Sequence, residues 1–268
     1  MIKDYVSNAD RKYNINDLLD IMSLLRSENG CPWDKVQTHE SIRPSLIEET
    51  YEAADAIDKG DMQALREELG DVLLQVVFHA QIEREKGTFD FDDVCDGICR
   101  KLILRHPHVF GSVKADTPDK VLDNWDKIKM KEKSQQTFTD TLTSVPDAFP
   151  ALMRAQKLQK RAAKAGYDFA GVNDAMDKLS EELCELSEAL SSGKPGDILD
   201  EMGDVLFSAV NVSRISGIDA EDALAKSSDK FVARFAAAEK LALRDGKTLD
   251  SLTPEELDAL WERVKADK

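Results

Sequence analysis

Cysteine is scarce in this chain. Four stand among 268 residues, at Cys31, Cys95, Cys99 and Cys184, and no two form a C-x-x-C pair. That excludes a disulfide framework and points to reduced thiols in a cytoplasmic protein. Cys95, Cys99, His106 and His108 match no standard zinc-ligand spacing. Aromatic residues make up only 6% of the chain, and runs of strand type are few. No apolar run approaches the roughly 18 residues that span a bilayer, and "MIKDYVSNADRKYN" lacks the charged-then-apolar pattern of a secretory signal. Positive charge is also in deficit: 36 Lys and Arg face 52 Asp and Glu, for a net charge of −16. Such a balance argues against a nucleic-acid polymer or an anionic membrane as partner. A small phosphate ligand stays open, because a bound metal inverts the local field.

What is abundant is helical periodicity. "INDLLDIMSLLRSE" sets Leu18, Ile21, Met22 and Leu25 on one stripe before "NGCPWD" interrupts it. The pattern predicts a helix over about Arg43 to Asp58, with Pro44 in its first turn. After "DKGD", a turn, it predicts another through "MQALREELGDVLLQVVFHAQIERE". "GTFDFDD" opens a further helix to about Arg105, "HPHVFG" breaks it, and "TPDKVLDNWDKIKMKEK" continues. Residues 134–149 show no stable period and are expected to be a linker. The pattern then restarts from residue 150.

Self-comparison explains the restart. An offset of 133 lays Glu48, Glu49, Glu52, Glu68, Gly70 and Asp71 on Glu181, Glu182, Glu185, Glu201, Gly203 and Asp204. "GDVL" recurs unchanged at 70–73 and 203–206. With small changes of offset at loops, Lys101 and Arg105 meet Lys230 and Arg234, and Trp125 and Lys129 meet Trp261 and Lys265. The expected organisation is an all-α tandem duplication, with helical domains at 1–133 and 150–268 joined by 134–149.

The repeated acids have a geometry. Glu49 and Glu52 share a helix face, as do Glu68 and Asp71. Two helices joined by a short turn pack antiparallel. Glu52 and Glu68 lie eight residues either side of Gly60, and Glu49 and Asp71 lie eleven. The four carboxylates should therefore meet at matching heights, and Glu182, Glu185, Glu201 and Asp204 repeat the arithmetic about Gly193. Facing carboxylates repel, and burying them unpaired is costly. A divalent cation resolves both problems, and an all-oxygen set suits Mg²⁺, with Mn²⁺ as a substitute. Solvated acidic faces are the plainer alternative, weakened by the recurrence and by the apolar runs that follow each E-x-x-D. A di-iron bundle is disfavoured, since no histidine stands three residues after an acid. Gly70 and Gly203, inside helices, suggest a close helix approach at this seam. Mg²⁺ held by carboxylates commonly meets a polyphosphate. Lys178, Lys230, Arg234 and Lys265 are candidates to hold it, and Trp261 is a candidate to stack on a base. Lys101, Arg105, Trp125 and Lys129 are their first-half counterparts. The first half has Ser45 where the second has Lys178.

The motifs "EETYE…ELGD" and "EELCE…EMGD", with "ENGCPWDKVQTHESI", "RHPHVFG" and "PALMRAQKLQKRAAKAGYDF", resemble the MazG family of nucleoside triphosphate pyrophosphohydrolases in its full-length, two-domain bacterial form. The resemblance runs from about Leu18 to Lys265. It implies an all-α homodimer that uses Mg²⁺ to hydrolyse NTPs or dNTPs to the monophosphate and pyrophosphate. Carried over, Glu182, Glu185, Glu201 and Asp204 are metal ligands, with Glu49, Glu52, Glu68 and Asp71 as first-domain equivalents. Lys178, Lys230, Arg234, Trp261 and Lys265 form the nucleotide-contacting set, and Glu181 or Glu182 handles the attacking water. Because Ser45 replaces the lysine, the second domain is expected to be the main catalytic unit. The rival reading is a non-catalytic sensor dimer that binds Mg-phosphates and regulates a partner.

Overall fold

Two glycines organise the molecule. Gly60 and Gly193 each close a long helix in the left-handed conformation, both at φ 67°, a geometry that glycine adopts without the Cβ penalty. Each is followed almost at once by a second long helix, so each half is built on an antiparallel helical hairpin. A computed structural model of the chain describes residues 11–111, 117, 121, 125, 128, 132 and 135–266. The chain divides into two compact units, Met1–Lys129 and Met130–Lys268. The described residues include no β-strand.

In the first unit, α1 (Ile15–Leu25), a short α2 (Pro32–Lys35), α3 (His39–Lys59), α4 (Met62–Lys86), α5 (Phe91–Arg105) and a single turn α6 (Pro107–Phe110) follow one another. Capping sets the boundaries. Asn14 and Asp17 form a reciprocal capping box on α1, Thr38 and Ser41 one on α3, and Asp61 accepts from the backbone of Gln63 and Ala64 to start α4. The Thr38 cap starts α3 a turn earlier than the periodicity predicted. Pro44 therefore lies inside the helix, where its missing N–H leaves one backbone acceptor without its usual partner. Helices α3 and α4 make the main contact, with α1 and α5 on α4. Met22, Ile42, Val77, Phe78 and Ile82 form the core.

The second unit begins with a helix that the periodicity did not predict. The stretch expected to be a linker holds α7 (Phe138–Thr143), capped by a Thr137–Asp140 box. It packs on α8 (Ala151–Lys164), and Val145 just after it is buried. Then come α9 (Val172–Ser192), α10 (Pro195–Ile215), α11 (Ala220–Arg244) and, after a 3₁₀ turn, α12 (Pro254–Ala266). Helices α9 and α10 repeat the α3–α4 hairpin, and α8 lies on α10. A separate cluster of Ala238, Ala242 and Leu260 joins α11 to α12.

The glycines inside the hairpins behave differently from expectation. A Cβ added at Gly70 or Gly203 meets nothing within 4 Å. No close helix approach accounts for either residue, and the structure offers no other reason for their recurrence. Each hairpin also exposes large apolar side chains at matching positions: Ile57 and Leu190, Leu69 and Met202, Leu73 and Leu206.

Candidate metal centre

Each hairpin brings three carboxylates together. In the first unit, Glu49 of α3 meets Glu68 and Asp71 of α4. In the second, Glu182 of α9 meets Glu201 and Asp204 of α10. Within each trio, one oxygen from every residue lies within 4.8 Å of the others. Nothing else among the described residues gathers three or more His, Cys, Asp or Glu in this way. The trios correspond through the offset of 133, as the mirrored spacing requires.

The fourth acid of each set stands beside its trio. Glu52 adds to the negative charge facing Glu49 and Glu68. Glu185 adds to the charge facing Glu201. Burial and like charge together disfavour ionisation here. Burial, then Asp71 and Glu52, push Glu49 above the ordinary carboxylate range. Burial, then Glu52 and Asp71, do the same for Glu68. Burial, then Glu185, Asp204 and Glu182, raise Glu201.

The residues fit a hard divalent cation. The donors are all carboxylate oxygens, and Glu201 Oε2 is buried with no hydrogen-bond partner. An orphaned carboxylate oxygen facing two other carboxylates needs a positive charge.

Lys178 supplies part of that charge in the second unit. Its Nζ lies 2.7 Å from Glu182 and 2.9 Å from Glu181, and those bonds raise its own pKa, Glu182 first. Glu182 itself is 5% exposed. At the equivalent place the first unit has Ser45, so the Glu49 trio has no lysine from that helix turn.

The remaining candidates are elsewhere in their own units. Trp261 of α12 packs on Phe231 of α11 with ring centroids 5.5 Å apart. Lys265 pairs with Glu262 at 2.6 Å. Among the described residues, no hydrogen bond or ion pair joins Lys230, Arg234 or Lys265 to the trio. In the first unit, the buried Arg105 lies over Trp125 at 5.8 Å, and His106 meets that ring edge-on. Lys101 is exposed, and Lys129 lies outside the described residues.

Sequence reasoning missed a cavity in the second unit. About 480 Å³ in volume, it is lined by Leu158, Gln159, Phe169, Phe207, Asn211 and Arg214 among others. Two buried glutamines on α8, Gln156 and Gln159, were the available signal, since the buried face of an amphipathic helix is normally apolar.

Comparison with known proteins places the chain among relatives along nearly its whole length. The model of the MazG nucleotide pyrophosphohydrolase domain matches twice, at residues 37–110 and 171–236. The chain is 44% identical to the nucleoside triphosphate pyrophosphohydrolase of Escherichia coli (strain K12), over 94% of this chain and 97% of that protein. It is 45% identical to the nucleoside triphosphate pyrophosphohydrolase/pyrophosphatase MazG of Thermotoga maritima, over 93% and 94% respectively. A similar identity, 46%, relates 91% of it to half of the uncharacterized protein YabN of Bacillus subtilis.

Proposed function

The chain belongs to the MazG nucleotide pyrophosphohydrolase family, and on that footing we propose that it hydrolyses nucleoside triphosphates, NTPs or dNTPs, to the monophosphate and pyrophosphate. The observation that carries the reading is the Glu182–Glu201–Asp204 trio with its orphaned Glu201 oxygen. Glu182, Glu201 and Asp204, with Glu185 beside Glu201, would hold a Mg²⁺ ion, for which Mn²⁺ could substitute. When bound, the cation neutralises charge on the phosphate oxygens and acidifies a coordinated water.

The chain's own groups do the rest. Lys178, kept protonated by Glu182 and Glu181, sits at the edge of the trio and exchanges a carboxylate for a phosphate oxygen when substrate enters. Glu181, one side of that ion pair, is exposed and orients the attacking water or takes its proton, a role shared with the neighbouring Glu182. Lys230, Arg234, Trp261 and Lys265 form the outer nucleotide-contacting set, which the trio does not touch in the isolated chain. The second domain, residues 150–268, is the main catalytic unit, because it has the lysine. The first, 1–133, is a related centre lacking it, with 134–149 as the connecting segment, and Lys101, Arg105, Trp125 and Lys129 as counterparts.

Exposed apolar residues at matching positions on both hairpins support a homodimer that buries them. Free thiols at all four cysteines suit a reducing, cytoplasmic setting. No helix among the described residues is long and apolar enough to cross a membrane.

The test is pyrophosphate release from a panel of NTPs and dNTPs with Mg²⁺. Pyrophosphate and monophosphate should appear in equal amounts and vanish with chelator. Orthophosphate with nucleoside diphosphate would reassign the cleaved bond, and Mg²⁺-dependent binding without turnover would make the protein a sensor.

A further inference from the structure

We infer that the cavity beside Gln159, Phe207 and Asn211 receives the planar base of the nucleotide whose phosphates are handled at the Glu182–Glu201–Asp204 trio. The inference deepens the function proposed above and rests on it for the identity of the ligand as a nucleotide.

Position is the first argument. Asp204, Phe207 and Asn211 follow one another along α10 at spacings of three and four, one stripe of the helix. Asn211 lies two turns beyond Asp204, about 10 Å along the axis. A ribose and a phosphate chain bridge such an interval.

The second argument is Gln159. It is 5% exposed and lines the cavity. Its Nε2 donates to the Phe207 carbonyl at 2.8 Å, while its Oε1 is buried with no partner. The carbonyl accepts only, so the amide cannot be turned over without setting oxygen against oxygen. The amide is thus held with its oxygen unpaired just behind the cavity wall, which is unfavourable. A ligand with an N–H on a flat edge would satisfy that oxygen after a small turn of the side chain towards the cavity.

The third is the nature of the walls. Leu158, Ala162, Phe169 and Phe207 are apolar, and two of them are aromatic. The one cation, Arg214, is already engaged by both oxygens of Asp168 and by Asn211 Oδ1. A site whose guanidinium is neutralised suits an uncharged heterocycle rather than a phosphate.

The fourth comes from the other unit. The offset of 133 places Arg26 on Gln159 and Phe78 on Asn211. There Phe78 is buried in the core with Arg26 stacked over its ring at 5.2 Å. Arg26 is tied to both oxygens of Glu85 at 2.9 Å and to the carbonyls of Asp34 and Gln37. The corresponding space is filled and its polar groups are paired.

The experiment uses the full chain, Mg²⁺, and the four α,β-methylene nucleoside triphosphates, with inorganic tripolyphosphate as the base-free probe, by calorimetry. In the unaltered protein the best nucleotide should bind about tenfold or more tightly than tripolyphosphate. In Gln159→Met and in Ala162→Leu, which narrows the cavity and keeps the Gln159 amide, that advantage should fall to about twofold. The inference is overturned if tripolyphosphate binds as well as every nucleotide, or if the advantage survives both substitutions. Loss of the advantage in Trp261→Ala alone would move the base to the aromatic group around Phe231. Failure of the proposed function reads differently: neither nucleotides nor tripolyphosphate would bind with Mg²⁺, and no pyrophosphate would be released.

Discussion

The two hairpins carry the same three carboxylates at the same spacing, yet their surroundings differ in two respects. The second has a lysine against its buried glutamate, where the first has Ser45. The second also has a cavity beyond its trio, where the first has Arg26 and Phe78. A duplicated backbone thus holds one centre furnished for an anionic ligand with a flat appendage, and one whose neighbouring space has become hydrophobic core. On the function proposed above, the carboxylates alone would not tell the catalytic centre from its copy; the side chains beyond them would.

The sharpest way to break that comparison is to remove the equivalent acid from each trio. Glu201→Gln should lower pyrophosphate release on the order of 1000-fold, because metal charge stabilisation amounts to several kcal/mol. Glu68→Gln should change it less than about threefold, well under 1 kcal/mol. Equal losses in the same steady-state assay would mean that both centres turn over substrate.

Next in size is stability at the paired positions Phe78 and Asn211. Phe78→Ala, in a core where the side chain is 4% exposed, should cost about 3 kcal/mol in a urea titration. Asn211→Ala, beside an open cavity, should cost about 1 kcal/mol, the worth of its hydrogen bond to Arg214. If the two cost the same, the second-unit cavity is closed in solution.

Exchanging the lysine difference comes third. Lys178→Met should raise KM about tenfold through loss of a charge-assisted contact to phosphate. Ser45→Lys should raise the melting temperature of the metal-free protein by supplying the missing cation, read by calorimetry.

The smallest effect concerns pH. In the metal-free protein the Glu49, Glu68 and Glu201 carboxyls are raised above their ordinary values by burial and like charge. A raised acid binds its proton more tightly in the folded state, so its penalty is full above the folded pKa and is relieved as pH falls through it. Glu68→Gln should therefore melt slightly higher than the unaltered protein at pH 8, and the gap should shrink in mild acid. A gap that widens in acid would mean the carboxylate is stabilised rather than strained. The same substitution should reduce the stabilisation gained from Mg²⁺.

Much of this was legible in the residues. The glycine-closed turns and the mirrored acids follow from helical periodicity and from the few residues that tolerate the left-handed conformation, both local rules. The Gln159 cavity was not, because it depends on how α8 and the segment after it lie on α10, a tertiary matter with no periodic signature. The glycine argument failed for a related reason. A glycine within a helix suggests close packing, but Gly70 and Gly203 face open space. The short helix at Phe138–Thr143 escaped notice because its capping box, not its apolar pattern, defines it.

The turn at Gly60, and its copy at Gly193, has a further consequence in the order of folding events. The first trio is contained between residues 49 and 71, and the second between 182 and 204. Closing so short a loop costs little chain entropy, and contacts this local form early. Each centre is therefore assembled by its own hairpin, before distant parts of the chain must find one another. Early assembly also brings like charges together early. A nascent chain meeting divalent cations would have that repulsion relieved while the hairpin closes, and one folding in chelator should cross the same step more slowly.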